Sequence, residues 1–466
     1  MPWPGACPAA PFPRQVQPKP YFRTVLANNS QLFSTETHPS TVQPITLLFM
    51  NLWGLFGLLS VQALFMHPCF SNKNWYPRLI RLALAPYLFY KSLLLPFEST
   101  SPPLRADMST NIPTATTCFY IALKSLEWGL SSGPHYTRTL KKSGQLYHWE
   151  KPSDSDKKAQ RALKPSFSEL IWWTVWQITS FRGFRFDWGP NMPCQRHSMT
   201  YLIIRIGVNK LLGVLAASLL VAARDAPNGR TVTALLYSIG IPSWFGSRVL
   251  GELLYNLAFG VHVGSSMDGK LTLVILFNTI IHNILAPYSF LQPVSDFFDP
   301  LHWPVFFDSP ELSNSLAEFW GRRWHQILRQ IFKFGGQSPI WIAEVLGFGT
   351  GFQKAASLFG PFFISGVLHE YIFWVALRPP HSTFCTILGV FPGSLVFFIL
   401  QPIGLLIESL LIPRIPKKLD GGRAWTGLFL LVTVTFYRRH YVSNGWYDYQ
   451  LPPFAKWSWK FILKDL

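Results

Sequence analysis

Three stretches of this chain, residues 42–66, 271–295 and 379–407, contain no Asp, Glu, Lys or Arg. A helix rises 1.5 Å per residue, so each is long enough to cross a hydrocarbon layer of roughly 30 Å. Further apolar runs lie at 76–97, 112–130, 199–223, 355–377 and 424–437, and residues 231–264 read as one span or as two short ones broken near Arg248 and Glu252. Hydrophobic residues make up 49% of the 466 positions and charged ones 14%, and the apolar residues are collected into runs instead of being scattered as in a soluble core. The expectation is an all-α, polytopic membrane protein with about eight to ten transmembrane helices.

Residues 1–41 form a separate tail. Seven prolines in the first twenty residues deny it a continuous helix or ladder. It lacks the apolar h-region and small-residue cleavage site of a removable signal, so the first span is expected to direct insertion. Residues 42–466 read as one membrane-embedded domain.

The formal charge of +18 is concentrated in connections: Arg138, Lys141, Lys142, Lys151, Lys157, Lys158, Arg161 and Lys164 in one, Arg414, Lys417, Lys418 and Arg423 in another. Both are expected on the cytoplasmic side, where such charge orients spans and meets anionic lipid. Nucleic-acid binding is not expected, because the charges are separated by spans and no recognition motif accompanies them. Cys7, Cys69, Cys118, Cys194 and Cys385 show no metal-ligand spacing, and His369-Glu370 lacks the second histidine of a zinc-protease helix, so no metal is expected.

Two segments carry chemistry. In residues 309–334, Leu316, Trp320, Trp324, Ile327 and Ile331 recur at helical steps, while Arg322, Gln326, Arg329 and Lys333 recur on another face. The pattern predicts an amphipathic helix at the membrane surface, started by Ser309-Pro310 or by a Ser315/Glu318 capping box. That helix either anchors the interface with snorkelling cations or turns its arginines to the phosphates of an anionic cofactor. The second segment, Ser365-Gly366-Val367-Leu368-His369-Glu370, puts a histidine inside an apolar run, where ionisable groups are costly. Ser365 and Gly366 fall on the His369 face and would leave room for a substrate. A buried neutral His369 could accept a proton from an alcohol, or could be satisfied by a neighbouring helix. Ser365 reads better as bonded to the Pro361 carbonyl than as a nucleophile. His282, near Asn278 and Asn283, is a reserve base or a helix-packing residue.

Residues 315–325, Ser-Leu-Ala-Glu-Phe-Trp-Gly-Arg-Arg-Trp-His, followed by the 365–370 segment, resemble the wax synthase branch of the membrane-bound O-acyltransferase superfamily. Within it the chain is most similar to fungal O-acetyltransferases of terpenoid and meroterpenoid pathways. Phe181-Arg182-Gly183-Phe184 through Trp188 and Pro193 resembles a third, weaker pattern of that group. The resemblance implies an enzyme of the endoplasmic reticulum, with its signature in residues 300–400. It would use an acyl-CoA arriving from the cytosol, usually acetyl-CoA, to acylate the hydroxyl of a lipophilic alcohol in the bilayer. His369 would be the general base, and His325 would hold or polarise the thioester. Trp320, Arg322, Arg323, Trp324 and Arg329 would shape the motif and meet the acyl-CoA, with no resident cofactor. A wax or sterol ester synthase is the alternative of the same chemistry, and a transporter relaying protons through His282 and His369 the alternative of another class.

Overall fold

The structure, a computed structural model of the chain, describes residues 42–71, 75–99, 108–225, 232–238, 240–241, 247–377, 392–414 and 421–443. The proline-rich tail, the 379–391 part of the third uncharged stretch, Lys417 and Lys418 lie outside the described residues, as do Cys7 and Cys385.

The described chain is almost wholly helical. In order it forms α1 (Val42–Leu64), α2 (Tyr76–Ser99), α3 (Met108–Leu130), the hairpin β1 (Thr139–Ser143) and β2 (Leu146–Glu150), α4 (Asp154–Ala162), α5 (Phe167–Thr179), α6 (Met199–Asp225), α7 (Val232–Ser238), α8 (Ser247–Leu285), α9 (Gln292–Phe297), α10 (Arg329–Val345), α11 (Thr350–Leu377), α12 (Gly393–Leu411) and α13 (Gly421–Ser443). Among the described residues four helical segments are long and apolar enough to cross a membrane: Tyr76–Glu98, Met199–Ala223, Thr350–Ala376 and Gly393–Arg414. The eight to ten expected spans include runs that lie partly outside the described residues. Of the helices at the other expected spans, the uncharged α1 contributes a shorter apolar segment, Met50–Leu64, and α3 carries a buried Lys124–Glu127 pair at 2.9 Å. The 39-residue α8 joins most of the 231–264 region to the 271–295 stretch, and its break falls before Arg248, not at Glu252.

The basic connection after α3 is structured. β1 pairs antiparallel with β2, Thr139 opposite Glu150, and α4 and α5 each start at a serine capping box. Arg138 is not an exposed orienting charge: it is buried and donates to the carbonyls of Asp187, Gly189 and Pro190.

Two helical groups meet at the signature region. Leu59, Met66, Leu88, Trp128, Leu328, Ile331, Leu368 and Ile372 form one core from α1, α2, α3, α10 and α11. Leu220, Tyr255 and Phe259 form another between α6 and α8, with Tyr437 of α13 against it. Polar ties fix the register of the helices. Arg205 of α6 grips Asp268 of α8 at 2.8 and 3.0 Å, and Asn256 of α8 donates to Leu431 O of α13 at 2.7 Å. α10 and α11 cross closely, a Cβ on Gly336 having no room beside Pro361, the small-residue contact by which apolar helices approach.

Candidate active site

The predicted amphipathic helix over 309–334 does not form as one element. Ser309 adopts a left-handed conformation (φ 46°) and caps nothing. Ser315 does cap, accepting from Glu318 N at 2.9 Å, while Glu318 reaches back to Asn314 N at 2.8 Å. One helical turn at 316–318 then widens into a π turn over Phe319–Arg323, with Trp324 N bonded to Phe319 O at 2.8 Å, and the backbone turns extended at Trp324. Helix resumes at Arg329.

Tertiary contacts override the local period. Trp320 Nε1 donates to Gln401 Oε1 on α12 at 3.1 Å, and its ring meets Phe362, Phe397 and Phe398. Trp324 packs edge-on against Phe307 at 5.0 Å. Gln326, placed by periodicity on the polar face, is only 4% exposed. It donates to Trp320 O at 3.0 Å and Trp324 O at 2.8 Å, satisfying carbonyls that the broken helix leaves open.

The two adjacent arginines have internal partners. Arg323 pairs with Glu318 at 2.7 Å and donates to Asp308 O and Ser309 O, clamping the left-handed turn; Arg322 pairs with Asp308 at 3.1 Å near the surface. Arg329 is different. Half-buried at the start of α10, it forms no ion pair among the described residues, and it and Lys151 both act on Lys333.

The break delivers His325 to the interior. Its Nδ1 is buried with no hydrogen-bond partner, and burial, with His369 and Arg182 adding to the effect, lowers its pKa to about 3. His325 is therefore neutral at physiological pH. Phe307 forms one wall beside it, ring centroids 5.8 Å apart, and Phe307 is held in turn by Arg205, which donates to its carbonyl at 2.7 Å.

His369 lies in α11 with its Nδ1 2.7 Å from Ser365 O. A carbonyl can only accept, so Nδ1 carries the proton and Nε2 is left with a lone pair. The Ser365 carbonyl, and not its hydroxyl, meets the ring. Nor does Gly366 leave room for a substrate: a Cβ there would stand 2.7 Å from Leu395 Cδ1, so its open face is used to seat α12. The imidazole packs on Phe398 at 4.6 Å and Tyr437 at 5.6 Å. Tyr441 donates to His369 O at 2.8 Å. Glu370, next in the chain, accepts from Ser394 N at 2.9 Å, Leu395 N at 3.3 Å and His440 Nε2 at 3.1 Å, tying the start of α12 and the last turn of α13 to the His369 segment. His282 is occupied elsewhere, its Nδ1 2.9 Å from Ser295 O within α9.

Arg182 completes the neighbourhood and had a sequence signal only in the weak third motif. Its Nη1 donates to Val305 O at 3.2 Å and to Pro304 O, and its guanidinium stacks between Phe184 and Phe306. The turn that presents it needs Gly183, whose φ is +63° and whose Cβ position is filled by the Trp188 indole. Beside it is a cavity of about 250 Å³, reaching Ile327, two residues past His325.

Residues 303–400 match the membrane bound O-acyl transferase family, a stretch that contains both histidines and the π turn. Over this region the chain is similar to membrane bound O-acyl transferases. It is 25% identical to acetyltransferase ple2 of Rhodocybe pseudopiperita over 293 residues, 62% of this chain and 66% of that protein. It is 26% identical to acetyltransferase eriL of Hericium erinaceus over 155 residues, 32% of this chain and 39% of that one. Against acyl-CoA–sterol O-acyltransferase 1 of Arabidopsis thaliana it is 37% identical over 76 residues, 16% of this chain and 21% of the relative. The matches thus span just under two thirds of the first relative and well under half of the other two.

Proposed function

We propose that the chain is an integral membrane O-acyltransferase of the endoplasmic reticulum that moves an acetyl group from acetyl-CoA to the hydroxyl of a lipophilic terpenoid or meroterpenoid. The observation that carries the reading is the contact of His369 Nδ1 with the Ser365 carbonyl. With Nδ1–H committed to the Ser365 carbonyl, Nε2 is an acceptor inside an aromatic cage, which is what a hydroxyl nucleophile needs from a neutral base. The acceptor O–H gives its proton to Nε2 as its oxygen attacks the thioester carbonyl. The tetrahedral intermediate then expels the CoA sulfur, which takes the proton from the imidazolium. Ester and free CoA leave, and the histidine returns to its starting state.

His325 supplies the complementary group. Neutral and with an unpartnered Nδ1, it can offer an N–H to the thioester oxygen as negative charge develops there. The phosphates of acyl-CoA are assigned to Arg329 with Lys333 and Lys151, three cations close enough for Arg329 and Lys151 to act on Lys333. Arg322 and Arg323 then hold the turn that places His325, and Trp320 and Trp324 wall the site.

The two fungal relatives named as acetyltransferases support acetyl as the donor group, while the plant sterol relative supports the same chemistry with a different acceptor. Membranes containing the chain, given labelled acetyl-CoA or palmitoyl-CoA with a panel of terpenoid alcohols, sterols and long-chain alcohols, decide between them. Acetyl esters of terpenoid alcohols are expected. Palmitoyl esters of long-chain alcohols would make the chain a wax synthase instead.

A further inference from the structure

The cavity beside Arg182 has an unusual electrostatic wall. Arg182, Arg185, Trp176, Phe184, Trp303 and Phe306 line it, and no carboxylate does. Arg182 is 8% exposed, and its Nε has no partner. Arg185 lies over the Trp176 indole at 4.8 Å and, among the described residues, forms no ion pair or side-chain hydrogen bond. The acid whose charge reaches Arg185 is Asp296, outside the lining and with its Oδ1 taken by Gln292 Nε2 at 2.6 Å. His302, also in the wall, adds no charge at neutral pH, since burial lowers its pKa to about 4, and its Nδ1 lies 3.0 Å from Asp296 O. Two guanidinium groups thus line a largely apolar cavity, rich in aromatic rings, without a counter-charge in its lining, an arrangement that favours an anionic guest.

We propose that this cavity binds a carboxylate carried by the acceptor, so that the alcohol acylated is an apolar hydroxy acid. The inference rests on the acyl-transfer reading of His369 and His325. Position favours the acceptor over the cosubstrate. Arg182 acts electrostatically on His325, the residue assigned to the thioester, whereas the phosphates of CoA lie a whole pantetheine arm away from its sulfur. A carboxylate matches the planar fork of a guanidinium, and the flat aromatic walls suit a ring-bearing body. The volume of about 250 Å³ holds one end of such a molecule.

The test uses 6-(hydroxymethyl)-2-naphthoic acid and its methyl ester, a pair differing in the charge and one methyl group. The purified full-length chain is compared with Arg185→Gln, chosen because Arg182 also stitches residues 304 and 305 in place. Thermal stabilisation by each probe is read first, then kcat/KM with acetyl-CoA. The acid is expected to stabilise the wild type and the ester not to. The acid-to-ester ratio of kcat/KM should fall by roughly tenfold in Arg185→Gln, the scale of one charge-assisted hydrogen bond. Equal stabilisation by acid and ester, stabilisation by neither, or an unchanged ratio in the variant would overturn the proposal. Stabilisation by inorganic phosphate or free CoA that Arg185→Gln abolishes, with none by the acid, would also overturn it and assign the cations to the cosubstrate. If the acid stabilises the wild type through Arg185 but no ester forms from any acceptor, the anion site stands and the acyl-transfer reading fails.

Discussion

At the scale of single residues, the two histidines differ in what they are committed to. His369 has one nitrogen fixed by its own helix, while His325 has a buried nitrogen with nothing to bond, and an unsatisfied buried polar atom is tolerated where substrate completes it. Asparagine can donate in the same place, so His325→Asn should keep transfer within about tenfold of wild type and His325→Ala should lose about 100-fold. Comparing kcat/KM for acetyl-CoA in the two variants checks this; equal losses would mean that His325 only fills space. Histidine burial also sets an acid limit. His67, His135 and His302 are held to about 4 and His325 to about 3, against 6.5 for the free group. Between those values the unfolded chain binds protons that the folded chain refuses, so stability rises with pH in that window and is lost as pH falls from 6.5 towards 4. Melting temperatures of detergent-solubilised protein should fall over that range, with a shallower slope for His302→Gln; a flat profile would contradict the burial of these rings.

At the scale of elements, the site depends on where helices stop. Glu370 collects two backbone N–H groups at the start of α12 and His440 of α13, so Glu370→Ala leaves those donors unpaired at a cost of about 1–3 kcal/mol. Because α12 carries the Phe398 ring under His369, transfer should fall along with melting temperature, and activity that survived a lowered melting temperature would separate the cap from the site. The elements also show what the sequence reveals and what it hides. Uncharged runs fall on α1, α12 and the second half of α8, and of these α12 lies in a segment long and apolar enough to cross a membrane. The helical period of 309–334 misled, because Trp320, Trp324 and Gln326 take their partners from Gln401, Phe307 and the chain's own carbonyls, none of which is visible in local spacing. The same blindness hid the second role of the arginine pair, since Asp308 and Glu318 become their partners only once the chain turns at Ser309. His369 stood out in the sequence because an ionisable group is costly in an apolar run. The use of Gly366 was not, because its neighbour Leu395 lies on another helix.

At the scale of the whole molecule, the groups proposed to react stand where two helical groups meet. One side brings α11 with His369 and α10 with its cations; the other brings α6 and α8, through Arg205 and Phe307, to the wall beside His325. A water-soluble donor and a lipid-soluble acceptor could then approach one point from different directions. On this account Arg329→Ala and Lys333→Ala should raise KM for acetyl-CoA with a smaller change in kcat. The wild-type KM should climb with salt more steeply than that of the variants, because exposed charge is screened; a salt response unchanged in both would remove these cations from the donor site. The most direct test of the central claim compares wild type with His369→Ala at matched expression in microsomes, with labelled acetyl-CoA, an alcohol accepted by the wild type and ester read by mass spectrometry. Loss of ester by at least about 100-fold is predicted, the scale of a missing general base. Ester formed equally by both proteins would show that His369 Nε2 is not the base.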